Sequence, residues 1–282
     1  MTTERICLAV SHFMQTTATA PVVLRTIAVL LVVTAVGGCV IDKPKRIDKA
    51  KLTQSYIDLG LGYIGNQEYQ RAKNNLNKAM MLEPKSAMVQ NAFGILFQLE
   101  QEYAMAEQHF VDALQYDDKF TQARNNYGAF LYERGRYTET IEQLLIGAED
   151  AFYRGRPAIY ENLGVSYLQL GQRKLALEAF DKSVSLNPTQ GRALIELASM
   201  TFDARDYPMA QDYFDRYLSV RQQQQNARSL WLGTRLSRIF DRQDDEASYS
   251  MMLKNIFPDS DEQKELVQLE LLRAGGGARG GS

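Results

Sequence analysis

The chain is poor in reactive side chains. Its 282 residues include two cysteines, Cys7 and Cys39, and two histidines, His12 and His109, which leaves little material for disulfides, metal ligands or nucleophiles. No Gly-rich phosphate loop, zinc spacing or nucleophile elbow is present. Thirty-two basic residues stand against thirty-four acidic ones, a formal net charge of −2, so the one-sided basic surface that nucleic-acid binding relies on is missing too. Long hydrophobic runs are also absent. The longest, Ile27 to Val36, is interrupted only by Thr34 and covers about ten residues, half of what a helix needs to cross a bilayer. These absences exclude the common classes of enzyme with a cofactor or small-molecule substrate, exclude nucleic acid as ligand, and leave a protein as the expected partner.

What the apolar run does have is an order. Arg25 precedes it, and Val36-Gly37-Gly38-Cys39 closes it before the chain turns polar. Charged region, apolar region and small-residue cleavage site follow one another as in a secretory signal. The segment resembles a bacterial lipoprotein signal with Val36 to Cys39 as its lipobox. That resemblance implies a signal peptide over 1–38, with Met14 as an alternative start, and a mature protein beginning at Cys39. It also implies a diacylglycerol on the Cys39 sulfur and a further acyl chain such as palmitate on its amine. Cys39 is then the lipidation site, and the covalent lipid takes the place of a cofactor. Val40 and Ile41 follow where an aspartate would imply retention at the inner membrane, so the resemblance implies the outer membrane, facing the periplasm. Residues 39–52 read as a tether with Lys43, Lys45, Arg46, Lys49 and Lys51 against Asp42 and Asp48. It either sits near anionic headgroups or is a solvated linker.

From there the sequence repeats. A small residue recurs at Gly60, Gly94, Gly128, Gly164 and Ala198, in steps of 34, 34, 36 and 34 residues. Each lies beside large apolar residues: Leu59 and Tyr63, Phe93 and Phe97, Tyr127 and Leu131, Leu163 and Tyr167. Each is followed by a second stripe at i, i+4 and i+7, first seen as Ala72, Leu76 and Ala79. This period resembles the tetratricopeptide repeat, in which every unit is a pair of antiparallel helices. The expected fold is an all-α, right-handed superhelical solenoid over 53–257, with about six helix-pair units at 53–86, 87–120, 121–156, 157–190, 191–224 and 225–257. Thr140 and Gly147 replace the usual alanines of unit three. Unit six carries Leu232, Gly233 and Leu236 and then degenerates, as terminal units do. Residues 258–273 read as a capping helix and 274–282 as a disordered tail. The segment around Gly155 and Pro157 is a longer loop, either a spacer or a contact point. His109 reads as a surface or half-buried residue without catalytic work, Trp231 and Met80–Met81 as core filling, and Gln222 to Gln225 as a polar helix end.

Solenoids bind through the wall formed by the first helices of successive units. On that wall, Ile57, Leu61 and Ile64 of unit one and Met88, Ile95 and Leu99 of unit two lie at positions that the repeat does not use for packing. Such a patch calls for an amphipathic partner or for the protein's own tether as cover. Asn91, Asn125, Asn126 and Asn162 follow along the same wall as carboxamides able to bond a peptide backbone. The partner-binding set is therefore Ile57, Leu61, Ile64, Met88, Asn91, Ile95, Leu99, Asn126 and Asn162.

Ile57 and Leu61 stand where chaperone-tail-binding repeats place lysine and asparagine, so tail recognition of that kind is not expected. The lipobox, about six repeats, the opening "YIDLGLGYIGNQEYQRAKNNLNKAMMLEP" from Tyr56 and "NNYGAFLYERGRY" from Asn125 together resemble the outer-membrane lipoproteins of type IV pilus biogenesis, the pilotins. The chain departs from them near Tyr132 and Ser166, where many relatives carry cysteines. The resemblance implies a non-enzymatic lipoprotein that binds secretin subunits and promotes their outer-membrane localisation and multimerisation. The alternative is a scaffold for a peptidoglycan-synthesis or outer-membrane barrel-assembly complex.

Overall fold

The computed structural model describes residues 48–220 and 225–277. Among these it contains thirteen α-helices and no strand. Twelve form six antiparallel pairs: α1 (Lys49–Gly65) with α2 (Tyr69–Leu82), α3 (Ala87–Leu99) with α4 (Tyr103–Tyr116), and α5 (Thr121–Glu133) with α6 (Tyr137–Ala148). The series continues with α7 (Arg156–Gln169) and α8 (Arg173–Leu186), α9 (Gly191–Asp203) and α10 (Tyr207–Ser219), and α11 (Ala227–Ile239) and α12 (Gln243–Ile256), before a closing helix, α13 (Asp261–Gly277). Each helix packs on its partner, and the first helices of pairs one to five also touch the first helix of a neighbouring pair. This is the tetratricopeptide solenoid.

The small-residue period has a direct packing cause. A methyl group added at Gly60 would lie 2.6 Å from Leu76, at Gly94 2.7 Å from Phe110, at Gly128 2.8 Å from Leu144, and at Gly233 3.0 Å from Tyr249. The large residue sits sixteen positions after the small one every time. The small side chain lets the two helices of a pair approach, and the large one fills the gap that approach leaves. Leu76, Phe110, Leu144 and Phe180 are accordingly fully buried. Pair six keeps the sixteen-residue spacing through Tyr249, and it is a helix pair although the stripe on its second helix degenerates, with Leu253 as that helix's buried residue. In pair three, Thr140 returns its hydroxyl to the Arg136 carbonyl at 3.1 Å. Gly147 leaves room for Ile159 of the next pair, which would stand 3.2 Å from an added Cβ.

The turn inside every pair is one motif used six times. A residue with positive φ ends the first helix: Gln67, Gln101, Gly135, Gly171, Arg205 and Asp241. The next amide then reaches back five residues, as in Glu68 to the Tyr63 carbonyl at 2.9 Å and Arg242 to the Ser237 carbonyl at 2.8 Å. This is the Schellman closure, which satisfies carbonyls left over at a helix end. Glycine meets it without strain at Gly135 and Gly171. The other four positions hold residues with side chains and are paid for by the packing of the pair, since the left-handed conformation costs an L-residue roughly 1–2 kcal/mol.

Two boundaries differ from the sequence reading. Helix α1 begins at Lys49, so Lys49 to Leu52 belong to the first pair and not to the tether; Thr53, immediately after them, is buried. Helix α13 extends to Gly277, so the first residues of the expected tail are helical. Its Leu266 is buried with Leu230, Trp231 and Leu253, covering the last pair. The proposed signal peptide, Cys39, the tether up to residue 47, Gln222 to Gln224 and residues 278–282 lie outside the described residues. No helix among the described residues is long and apolar enough to cross a membrane.

Candidate interaction surface

The wall formed by the first helices differs in chemistry along its length. At its start, on α1 and α3, Leu61, Met88 and Leu99 are 38, 43 and 46 % exposed, and Ile95 is half-buried. Helices α1 and α3 pack against each other, so these side chains belong to adjoining elements. Ile57 and Ile64 do not join them. They are 3 and 8 % exposed and belong to the core cluster with Leu76, Val89 and Phe93. The expectation that both are dispensable to the repeat is overturned: Thr53, Ile57, Gly60 and Ile64 are the buried residues of α1 and follow one another at i, i+4, i+7 and i+11, so Ile57 and Ile64 lie on the same buried face as the small residue of the pair. Leu59, expected as a packing residue, is instead half exposed, and Met81, expected as core filling, is mostly exposed. Met80 does pack against the core.

The asparagines are not an open row of carboxamides. Asn91 is buried and accepts a hydrogen bond from the Asn126 side-chain amide at 2.9 Å, while Asn162 donates to Asn125 at 3.3 Å. They tie the first helix of one pair to that of the next, about one repeat away in sequence. Ser166 is buried too, with its hydroxyl on the Asn162 carbonyl at 2.7 Å. His109 lies behind the wall, on α4. Its ring stacks on Phe93 and Phe97 with centroids 5.2 Å away, and its Nδ1 is 2.6 Å from the Gln90 side-chain oxygen. Burial pushes its pKa below the ordinary histidine value, opposed by the nearby Asp112 carboxylate.

In the middle of the solenoid the polar groups are engaged with one another. Glu107 accepts from both the Tyr127 hydroxyl at 2.9 Å and Arg136 at 2.6 Å. Burial, reinforced by that glutamate, raises the Tyr127 pKa to about 12. The loop before α7 is firmly held: Thr121 donates to Asp150 at 2.7 Å, and the Asp150 carboxylate accepts from the Phe152 amide at 3.0 Å. Tyr153 turns inward to the core and Phe152 outward to solvent.

At the far end, α9 and α11 carry charge and rings. Glu196 is buried and receives both arms of Arg228, at 2.6 and 2.8 Å. Glu161 accepts from the Ala193 amide at 3.2 Å, and burial raises its pKa. Trp231 is buried, as expected of a core residue, and its indole donates to Glu265 of α13 at 2.8 Å. Nothing in the repeat pattern identifies this cluster; the single tryptophan is the one sign of it in the sequence.

A family model described as tetratricopeptide repeat matches residues 157–190. The type IV pilus assembly protein PilF of Pseudomonas aeruginosa is 37 % identical over 246 residues, which span 86 % of this chain and 97 % of that protein. The solved structure from the functional characterization of Pseudomonas aeruginosa PilF superposes with a TM-score of 0.76 at 38 % identity, covering 79 % of this chain and 99 % of that one. A crystal structure of PilW, described as a widely conserved type IV pilus biogenesis factor, has a TM-score of 0.64 at 24 % identity, covering 76 % and 98 %, and shares the fold.

Proposed function

Since this chain belongs to the family of the type IV pilus assembly protein PilF, we propose that it is the non-enzymatic outer-membrane lipoprotein, or pilotin, of a type IV pilus system. In this reading it binds secretin subunits, brings them to the outer membrane and promotes their multimerisation. The lipid on Cys39 supplies membrane residence on the periplasmic side, and the solenoid supplies the grip. Neither step makes or breaks a bond in the partner.

The observation that carries the grip is the trio Leu61, Met88 and Leu99. Exposed apolar side chains on adjoining elements suit an amphipathic partner segment. With Ile57 and Ile64 assigned to the core, the candidate contact narrows to this trio with the half-buried Ile95. Asn91, Asn126 and Asn162 act as ties between successive repeats.

Leu61→Asp tests the surface. Burying a leucine in a partner contributes roughly 1.5–3 kcal/mol, so affinity for the purified secretin subunit should fall about tenfold or more. The circular-dichroism melt should barely move, because the position is already open. A folded variant that binds the subunit as tightly as wild type removes α1 from the contact. Cys39→Ser tests the address: the precursor should remain uncleaved and the assembled pore at the outer membrane should decrease. Normal cleavage and normal flotation with outer membranes would reject lipidation at Cys39. A cell-wall or barrel-assembly scaffold would share the uncleaved Cys39→Ser precursor but neither the loss of the assembled pore nor the secretin titration.

A further inference from the structure

The sixth pair contains four arginines, and three of them face a carboxylate. Arg228 pairs with Glu196 at 2.6 Å, Arg238 with Glu246 at 2.6 Å and Arg242 with Asp245 at 3.8 Å. Arg235 is the exception. It makes no hydrogen bond or ion pair to any described residue, and its Nε is buried without a partner. Its guanidinium lies instead on two rings, with the central carbon 4.3 Å from the Phe202 centroid and 5.4 Å from that of Trp231.

Both rings are held in place. Phe202 comes from α9 and meets Tyr207 edge-on, with centroids 5.2 Å apart. Trp231 is fixed by its hydrogen bond to Glu265. The carboxylates whose charge reaches Arg235 are Asp203 and Glu265, and both are occupied, Asp203 by Arg173 at 3.3 Å and Glu265 by the indole. Arg235 remains partly exposed, on the wall built by first helices. A guanidinium presents a planar fork that matches a carboxylate in two-point contact, and an aromatic floor orients the fork while partly removing it from water.

We propose that Arg235, on its Phe202 and Trp231 floor, is a second binding site on the wall of the solenoid, one that takes a peptide carboxylate. The neighbouring Asp203 and Glu265 charges select a single negative charge over a doubly charged phosphate. The rings favour an apolar or aromatic residue next to the carboxylate. Because the site lies on pairs five and six, it operates independently of the Leu61 surface.

Trp231 is the only tryptophan of the chain, so its fluorescence reports on the site directly. The probes are N-acetyl-Gly-Leu-Phe with a free C-terminal carboxylate, the same peptide as its amide, N-acetyl-Gly-Glu-Phe amide, and inorganic phosphate at matched ionic strength. The free carboxylate or the glutamate peptide should give a saturable change, at least about tenfold tighter than the neutral amide, as loss of a charge-assisted contact implies. Whichever of the two binds tighter identifies a chain terminus or an acidic side chain as the source. Arg235→Gln should abolish the difference, Arg235→Lys should retain part of it, and Leu61→Asp should leave it intact even though secretin binding is weakened.

Equal binding of carboxylate and amide overturns the proposal, as does a response to phosphate alone or no saturable response. Undiminished discrimination in Arg235→Gln overturns it as well. Should Arg235→Gln fail to fold, the comparison of carboxylate with amide on the wild-type chain still decides the matter.

Discussion

The two ends of the inner wall are built on the same backbone and finished with opposite chemistry. Pairs one and two expose aliphatic side chains, Leu61, Met88 and Leu99, over a core of Ile57, Ile64 and Phe93. Pairs five and six present Arg228 over a buried Glu196 and Arg235 over Phe202 and Trp231. The helix pairs beneath are alike in their small-to-large contact and their left-handed turn. Repetition therefore specifies the scaffold, and the positions that repetition does not use specify what each region can hold. An aliphatic surface rewards area and is indifferent to angle; a guanidinium fork rewards geometry and charge.

The largest effects should come from the shared scaffold. Phe110 and Phe214 are buried beneath the two regions, and truncating either to alanine should cost about 3–5 kcal/mol. Because each pair contacts only its neighbours, the damage should be local. Hydrogen exchange should show Phe110→Ala loosening pairs one to three while pair six stays protected, and Phe214→Ala doing the reverse. Uniform loss of protection in both variants would show that the regions are one cooperative unit and erase the comparison.

A middle-sized effect belongs to the charged end alone. Arg228→Ala leaves the Glu196 carboxylate buried without its cation, a state that costs free energy. Since the arginine is half exposed at 47 %, water replaces part of what is lost, and urea denaturation should show a decrease of about 1–2 kcal/mol. Adding Glu196→Gln should restore most of it. An unaltered denaturation midpoint in Arg228→Ala would mean that the pair contributes position and not stability.

The smallest effect separates the ends by pH. Burial holds the folded pKa of His109 below the ordinary histidine value, which is about 6.5. A depressed folded pKa means that the unfolded chain takes up the proton first. The stability contributed by the neutral ring is thus present above the ordinary value and is lost as the pH falls through it toward the folded one. Acidification should weaken the region around α3 and α4, and His109→Phe should reduce that sensitivity in melts compared at pH values on either side of the histidine range. A variant as acid-sensitive as the wild type would assign the effect to other groups.

The helix pairs were legible in the sequence because the contact that defines a pair is local. Gly60 meets Leu76 and Gly94 meets Phe110 over sixteen residues, so small and large residues must recur together. Pair six was harder to read because Tyr249 replaces the usual phenylalanine or leucine, although the spacing is intact. The turns were hidden as well. Four of the six left-handed residues, Gln67, Gln101, Arg205 and Asp241, are not glycine, and the pairs hold them in place by packing that composition does not reveal.

Ile57 and Leu61 show where local reading stops. They are similar in type and one helical turn apart, yet one is in the core and the other is open. The difference arises from packing: Ile57 lies on the buried stripe of α1, with Thr53, Gly60 and Ile64, in a core cluster that extends to Val89 and Phe93 of the next pair, and Leu61 lies beside that stripe. The same long-range packing converts Asn91 and Asn126 from candidate ligands into a tie 35 residues apart in sequence, and it brings Phe202 under Arg235. The sequence by itself determined the period, the helix pairs and the identity of each pair's interlocking residues, because those contacts repeat at fixed short separations. Only the tertiary structure decided which wall residues remain accessible, because accessibility is set by neighbours a full repeat away, where no local pattern constrains the side chain.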